Sequence, residues 1–315
     1  MSPQAALESS VFWFYTTGAA ALLLVAGIVI SVLKWGFGKD VDHAWRAYCG
    51  WLVLVPAAFL CIFLGRNVTI AFLTLVALAG FREFARATGL YRDWIMTGAV
   101  YLGIVATGII SSLGSRVGGE EGGYALFMAF PVFAIAAILI VPIVRNRARG
   151  QLQVLSLAIV GFVYFGWMFG HLSFLANARH AYSYLLYVLV AVELNDVAAY
   201  VFGKLFGRHP LRSNISPRKT WEGALGALAF SLLLPWLVRS TLPHFQAREC
   251  VLAGLIVGIG GQLGDLAVSV IKRDVGIKDM GATIPGHGGI LDRMDSLVYV
   301  APLFFHLTRP FHDLD

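Results

Sequence analysis

Ten apolar runs recur along this chain with short polar stretches between them, and each is long enough to predict a membrane-crossing helix of about 20 residues. They fall near 14–33, 48–64, 67–81, 95–113, 124–144, 153–175, 182–202, 223–242, 249–271 and 296–308. Only Gly65 and Arg66 separate the second from the third, which predicts either a tight hairpin or a pair of re-entrant segments. No internal repeat and no low-complexity linker interrupts the series. The expected fold is therefore all-α: a polytopic integral membrane protein of about 9–10 transmembrane helices in a single domain. Residues 1–180 are expected to supply structural, lipid-facing helices, and residues 181–315 helices whose loops carry the unusual residues.

Composition agrees with the pattern. Hydrophobic residues make up 58% of the 315 and charged residues 13%, against about a quarter charged in soluble domains, and mean hydropathy is +0.75. A soluble chain of this length would need a polar shell that so few charges cannot build. Met1 to Ser10 lacks a basic segment and no small-residue cleavage site follows 18–32, so the first run is expected to stay as a helix. Cys49, Cys61 and Cys250 lie in or beside apolar runs without CxxC spacing, which predicts buried thiols and no disulfide or zinc site. The net charge of +6 is spread over short loops, so it points to an anionic lipid surface or substrate and not to nucleic acid.

Charge also predicts orientation. Assigning loops to alternate sides puts 18 of the 24 Lys and Arg on one side, a bias expected of the cytoplasmic face. Both termini are then outside, and the two long loops, 203–222 and 272–295, are cytoplasmic.

An ionisable side chain at the centre of a span costs about 2.5–3.5 kcal/mol on insertion scales, so each one asks for a reason. The first six runs have none near their centres. The seventh carries Glu193, Asn195 and Asp196, and the ninth carries Gln262 and Asp265. At about 1.5 Å per residue, Asp196 and Asp265 both lie about 11 Å from the basic ends at Lys204 and Lys272. Taken singly, an Asp in a span can be read as a helix-to-helix hydrogen bond or a salt bridge. Together, at one depth, they suit a hard cation reached from the cytoplasm.

The segment SVIKRDVGIKDMGATIPGHGGILDRMD, from Ser269 to Asp295, sets Lys272, Arg273, Lys278 and Arg293 among Asp274, Asp279, Asp292 and Asp295. Its glycines permit close backbone approach and allow several N–H groups to face one anion. Carboxylates beside such a nest would repel phosphate unless a metal stood between them, so a divalent cation bridging acids and a polyphosphate is expected, with Mg²⁺ the first choice. A plain charged loop would explain the charges but has no use for Pro285-Gly286-His287-Gly288-Gly289. His287 alone reads as a surface or capping histidine; in this run it is a candidate to contact phosphate.

This segment resembles the signature of the phosphatidate cytidylyltransferase (CDP-diacylglycerol synthase) family at Ser269, Lys272-Arg273, Lys278-Asp279, Gly281, Ile284-Pro285, His287-Gly288-Gly289 and Asp292-Arg293-Met294-Asp295. A second stretch is similar to another block of that family: Asn195-Asp196, Ala199-Tyr200, Gly203, Gly207, Ile215-Ser216-Pro217, Lys219-Thr220-Trp221-Glu222-Gly223 and Gly226. In it Ser216-Pro217 reads as a turn or helix start, Arg218 and Lys219 as phosphate or headgroup ligands, and Glu222 as a charge favoured in an early helical turn. The likeness is close over about 195–300. One position departs: the residue before Ser269 is usually acidic in the family and here is Val268, which leaves the metal's ligand set open.

The resemblance implies transfer of CMP from CTP to phosphatidic acid, giving CDP-diacylglycerol and pyrophosphate in a phospholipid-making membrane. Catalytic residues expected from it are Asp265, Lys272, Arg273, Lys278, Asp279, His287, Asp292, Arg293 and Asp295. Substrate contacts are expected from Ser216, Arg218, Lys219, Thr220, Glu222, Gly288 and Gly289. Mg²⁺ would be held by Asp265, Asp292 and Asp196 with Asp295 orienting or joining, and the resemblance adds a monovalent cation such as K⁺. The bacterial inner membrane with a cytoplasmic site is expected, and a homodimer is left open. Three other readings remain at this point: a CTP-dependent polyprenol or phytol kinase; a transporter, whose polar groups would have to reach both faces; and, given Val268, a catalytically dead scaffold.

Overall fold

The computed structural model describes residues 1–114, 119–281 and 288–312. Each of the ten apolar runs is helical. In chain order the helices are α1 (Pro3–Glu8), α2 (Ser10–Ser31), α3 (Asp42–Leu64), α4 (Arg66–Ala87), α5 (Trp94–Leu113), α6 (Gly119–Val144), α7 (Gln151–Gly161), α8 (Gly170–Leu175), α9 (Ala181–Phe206), α10 (Trp221–Leu237), α11 (Ala247–Asp274) and α12 (Leu291–Thr308). A π-helical stretch, Phe162–Met168, joins α7 to α8 in one span. Among the described residues, eight helical segments are long and apolar enough to cross a membrane, and α10, with 17 residues, is shorter. The sheet among the described residues is one small hairpin, β1 (Pro210–Arg212) against β2 (Ser216–Thr220), antiparallel with Arg212 opposite Ser216.

Of the two alternatives for residues 48–81, the tight hairpin forms. α3 and α4 are 23 and 22 residues long and meet at Gly65, whose φ of +111° is open to glycine at no steric cost. The chain then alternates between two ends. At one end Tyr182 Oη donates to the Ser2 carbonyl at 2.9 Å, and Arg66 donates to Asn177 Oδ1 at 2.8 Å. Tyr15 and Thr241 share a buried hydrogen bond of 2.8 Å there. The opposite end holds the Asp93–Arg145 ion pair at 2.6 Å, and Arg273 Nε donates to the Ile215 carbonyl at 3.1 Å. The loops 203–222 and 272–295 therefore share one end, as the charge pattern requires.

The packing that matters for the site runs through α11. Apolar solvent gives helices no hydrophobic reason to associate, so close van der Waals contact between small residues takes its place. A Cβ on Gly254 would lie 2.6 Å from Leu232 Cα of α10, and one on Gly264 would lie 2.5 Å from the Asp295 carbonyl oxygen of α12. Glycine thus sets how near α10 and α12 come to α11. Outward faces stay apolar: Leu22, Leu24, Val25, Ile28 and Val29 of α2 are exposed, as lipid-facing residues should be. Of the three thiols only Cys250 is buried; Cys49, expected buried, is exposed because α3 turns that face outward.

Gly264→Ala should lower the thermal unfolding midpoint in detergent, by the equivalent of about 1–3 kcal/mol for overpacking against backbone. Gly98→Ala on α5, where a Cβ meets nothing within 4 Å, should leave the midpoint unchanged.

Candidate functional site

The polar residues at the loop-rich end come from four elements. α9 brings Glu193, Asn195 and Asp196; β2 brings Lys219; α11 brings Gln262, Asp265, Ser269 and Lys272; α12 brings Asp292, Arg293, Asp295 and Ser296. The spacing of Gln262, Asp265, Ser269 and Lys272 follows the 3.6-residue turn, so all four share one face of α11. Lys219 Nζ stands 2.7 Å from Asp265 Oδ2 and donates to Gln262 Oε1 at 2.9 Å. Ser269 Oγ, one turn along, donates to Asp265 Oδ1 at 3.2 Å. Across the interface Ser296 Oγ donates to Asp196 Oδ2 at 3.2 Å, and the Ser296 N–H donates to Asp295 Oδ1 at 2.8 Å. Asp196, Asp265 and Asp295 lie near enough to repel one another, and Lys219, Lys272 and Arg293 are the cations within reach of the cluster.

Asp292 does a different task. Its Oδ1 takes Lys272 Nζ at 3.0 Å, with both side chains nearly shut off from solvent at 8% and 10% exposure. Its Oδ2 accepts the N–H groups of Met280, at 3.1 Å, and of Gly289, at 2.9 Å. One carboxylate thus fastens together the two flanks of the segment between them. Gly288 fits beside it at φ +81°, where a Cβ would come within 3.0 Å of Asp292 Oδ2. Both Asp292 oxygens are therefore taken up by protein donors, two of which are backbone N–H groups flanking the segment.

Arg273 braces two loops, donating to the Ile215 and Ile277 carbonyls, both at 3.1 Å. Lys278, Asp279, Arg293 and Arg218 are exposed at the same end. The expectation that Ser216-Pro217 makes a turn or helix start is corrected: both lie in β2, and the helix waits until Trp221. Thr220 decides this, because its Oγ1 accepts the Gly223 N–H at 3.2 Å and caps α10. Glu222, in the first turn, takes the His209 ring Nδ1 at 2.5 Å and the N–H of Arg208 at 3.1 Å. The His209 bond first, then the Arg208 bond, hold its carboxyl down to about 2. Ser216 sits opposite Arg212 in the hairpin.

His287, with Ile284 and Pro285, lies outside the described residues. Val268 is fully buried in the apolar core, so at that position this chain spends its side chain on packing. Among the described residues no three His, Cys, Asp or Glu side chains form a ready-made coordination sphere. The chemistry of Asp196, Asp265 and Asp295 nevertheless fits a hard divalent cation, being three oxygen donors in mutual repulsion, with Lys219 now closest to Asp265. Sequence reading missed two polar groups: Ser296, which links Asp196 to the Asp295 turn, and Glu83, a buried carboxylate on α4 that accepts the Leu291 N–H at 2.9 Å. Glu83 was hidden because the third apolar run ends at 81 while α4 continues to Ala87. Its signal is Gly80 three residues earlier on the same face, where a Cβ would meet Met294 Sδ at 2.7 Å.

Asp292→Ala should free the Met280 and Gly289 N–H groups and leave Lys272 as an unpaired buried charge. Trypsin should then cut after Lys278 faster than in the unsubstituted protein, by about tenfold or more for a loss of 1–3 kcal/mol per unmade bond. Equal cleavage rates would show that Asp292 does not hold this segment.

A model of the cytidylyltransferase family matches residues 45–311. A Staphylococcus haemolyticus (strain JCSC1435) phosphatidate cytidylyltransferase is 39% identical over 174 residues, which cover 55% of this chain and 66% of that protein. The phosphatidate cytidylyltransferase of Staphylococcus aureus (strain COL) is 42% identical over 161 residues, 50% of this chain and 60% of its own. The chain thus spans about two thirds or less of these two relatives' lengths. An uncharacterized Escherichia coli (strain K12) protein, YnbB, is 28% identical over 301 residues, covering 92% of this chain and 95% of its own. With the family match extending from α3 through α12, this polytopic membrane protein belongs to the cytidylyltransferase family.

Proposed function

We propose that this chain transfers CMP from CTP to phosphatidic acid, forming CDP-diacylglycerol and releasing pyrophosphate, with its site at the cytoplasmic face of a bacterial inner membrane. The observation that carries the reading is the meeting of Asp196, Asp265 and Asp295 with Lys219 and Lys272 where α9, α11 and α12 converge. Family membership and the named relatives support the same reaction. The 18-to-6 division of Lys and Arg, with both long loops at one end, supports the cytoplasmic assignment.

The acceptor is a lipid phosphate, already anionic near pH 7, so the reaction does not need a strong base. It needs two negative groups brought together and aligned, the phosphate oxygen attacking the α-phosphorus and pyrophosphate leaving on the far side. Lys219 is suited to receive a phosphate oxygen, because its ammonium lies at the seam between the hairpin and α11 while its partner Asp265 keeps it placed. Arg293 and Lys278, exposed beside the fastened segment, supply positive charge to the triphosphate and the departing pyrophosphate. Arg273 and Asp292 keep the segment in shape, and Lys272 holds Asp292. Asp196, Asp265 and Asp295 would hold Mg²⁺, which supplies charge neutralisation to the phosphates when bound. K⁺ would act as a second, weaker neutralising cation. Water reaches this end more readily than the apolar bundle, so the charged products can leave by it.

With CTP labelled at the α or the γ phosphorus, only α label should reach the lipid. Label arriving from the γ position would instead identify a lipid kinase. Asp265→Asn and full chelation of divalent ions should each cut turnover by about a hundredfold or more, the scale of losing one main electrostatic element at a phosphoryl centre. Undiminished turnover after chelation would remove the metal from the scheme.

A further inference from the structure

α12 carries Asp292, Arg293, Asp295 and Ser296 within its first two turns, so whatever fixes its N-terminus fixes half of the site. The first N–H groups of any helix lack intrahelical partners, and a side chain at the cap position commonly supplies one. Here the local sequence does not: the cap position is Ile290, and it gives no side-chain hydrogen bond. The Leu291 N–H is satisfied instead by Glu83 Oε2, 208 residues away on α4, at 2.9 Å. Glu83 is 7% exposed.

Three further features bear on this contact. Leaving the Leu291 N–H unmade in a buried place would cost the donor's full desolvation, and a carboxylate is the favoured charge at a helix N-terminus. Glu83 also shapes both flanks of the signature segment: a Cβ on Gly281 would come 2.5 Å from Glu83 Oε1, and its three nearest atoms are all of Glu83. A Cβ on Gly289 would meet Glu83 Oε2, although there the Gly281 nitrogen crowds it as well. Gly80 brings α4 close enough to α12 for this reach. Asp292 fastens Met280 to Gly289 from within α12, and Glu83 fastens the start of α12 from outside it.

We infer that Glu83 is a positioning residue for the reaction, a remote N-terminal cap that α4 delivers to α12 and around which Gly281 and Gly289 are fitted. This rests on the proposed function for its kinetic consequence but not for its structural one. Gly281 and Gly289 are thus required by the volume of the Glu83 carboxylate, in addition to any close approach of substrate. The first half of the chain, expected to be structural and lipid-facing, reaches the reacting end through this side chain.

The test uses the full chain in detergent, with Glu83→Ala, Glu83→Gln, Gly281→Ala and the double variant Glu83→Ala/Gly281→Ala. Amide hydrogen exchange should quicken over 288–296 in Glu83→Ala while the Asp93–Arg145 end of α5 keeps its rate. Turnover of CTP with phosphatidic acid should fall by about tenfold or more in Glu83→Ala, with Glu83→Gln retaining more because its amide oxygen still accepts from Leu291. Gly281→Ala should cost activity when Glu83 is present and little or nothing further when it is added to Glu83→Ala, since the clash is gone. Unchanged exchange at 288–296, or the same loss from Gly281→Ala with and without the Glu83 carboxylate, would overturn the inference. If the unsubstituted protein does not turn over CTP and phosphatidic acid, the proposed reaction fails, and the exchange arm alone decides Glu83.

Discussion

Carboxylates set among apolar helices must be compensated by groups within a few ångströms, because the surrounding solvent does nothing for them. Asp196, Asp265 and Asp295 impose that demand at the junction of α9, α11 and α12, and the architecture around them answers it. Lys219 arrives from the hairpin to meet Asp265; Ser296 turns its hydroxyl to Asp196 and its N–H to Asp295. The compensation is incomplete, because Lys272 is committed to Asp292 and Lys219 to Asp265. That shortfall of positive charge is what the proposed divalent cation would make good.

The same need explains why glycine is concentrated in α11. Polar groups on neighbouring helices can serve one another only if the backbones come close, and in lipid close approach depends on small residues. Gly264 brings the Asp295 turn of α12 against α11, and Gly261 lies beside the Asn195 side-chain amide of α9. Asn195 in turn accepts from Ser231 of α10 at 3.0 Å, so all four helices of the C-terminal part are tied by polar contacts and close approaches at one level. Apolar packing then surrounds this seam, with Val268 on its buried side.

Charged residues at the loop-rich end fall into two kinds. Asp292, Lys272, Arg273 and Glu222 are engaged with backbone groups or with one another, and they keep loops in place. Lys278, Arg218 and Arg293 are exposed, which suits the phosphate contacts proposed for them. Burial explains the Lys272–Asp292 pair, whose charges are held at about a tenth of their exposure and need fixed partners, whereas Arg273 is exposed and Glu222 half-buried, and their ties shape the loops.

The all-α polytopic architecture, the shared end of the two long loops and the membrane habitat were legible in the sequence, since each follows from local hydropathy and from counting Lys and Arg. The family was legible too, because the Ser269–Asp295 pattern is continuous along the chain. The work done by each acid was not legible. Asp265 and Asp292 look alike as sequence, yet one pairs with Lys219 beside Asp196 and Asp295 and the other closes a loop through backbone N–H groups, a difference set by which elements lie opposite. The contact Glu83 makes was not legible for the same reason: its partner, the Leu291 N–H, is 208 residues away, and no local pattern encodes a contact across that distance. Periodicity determines which face of a helix is apolar, but only packing decides which neighbour that face's polar exceptions will meet.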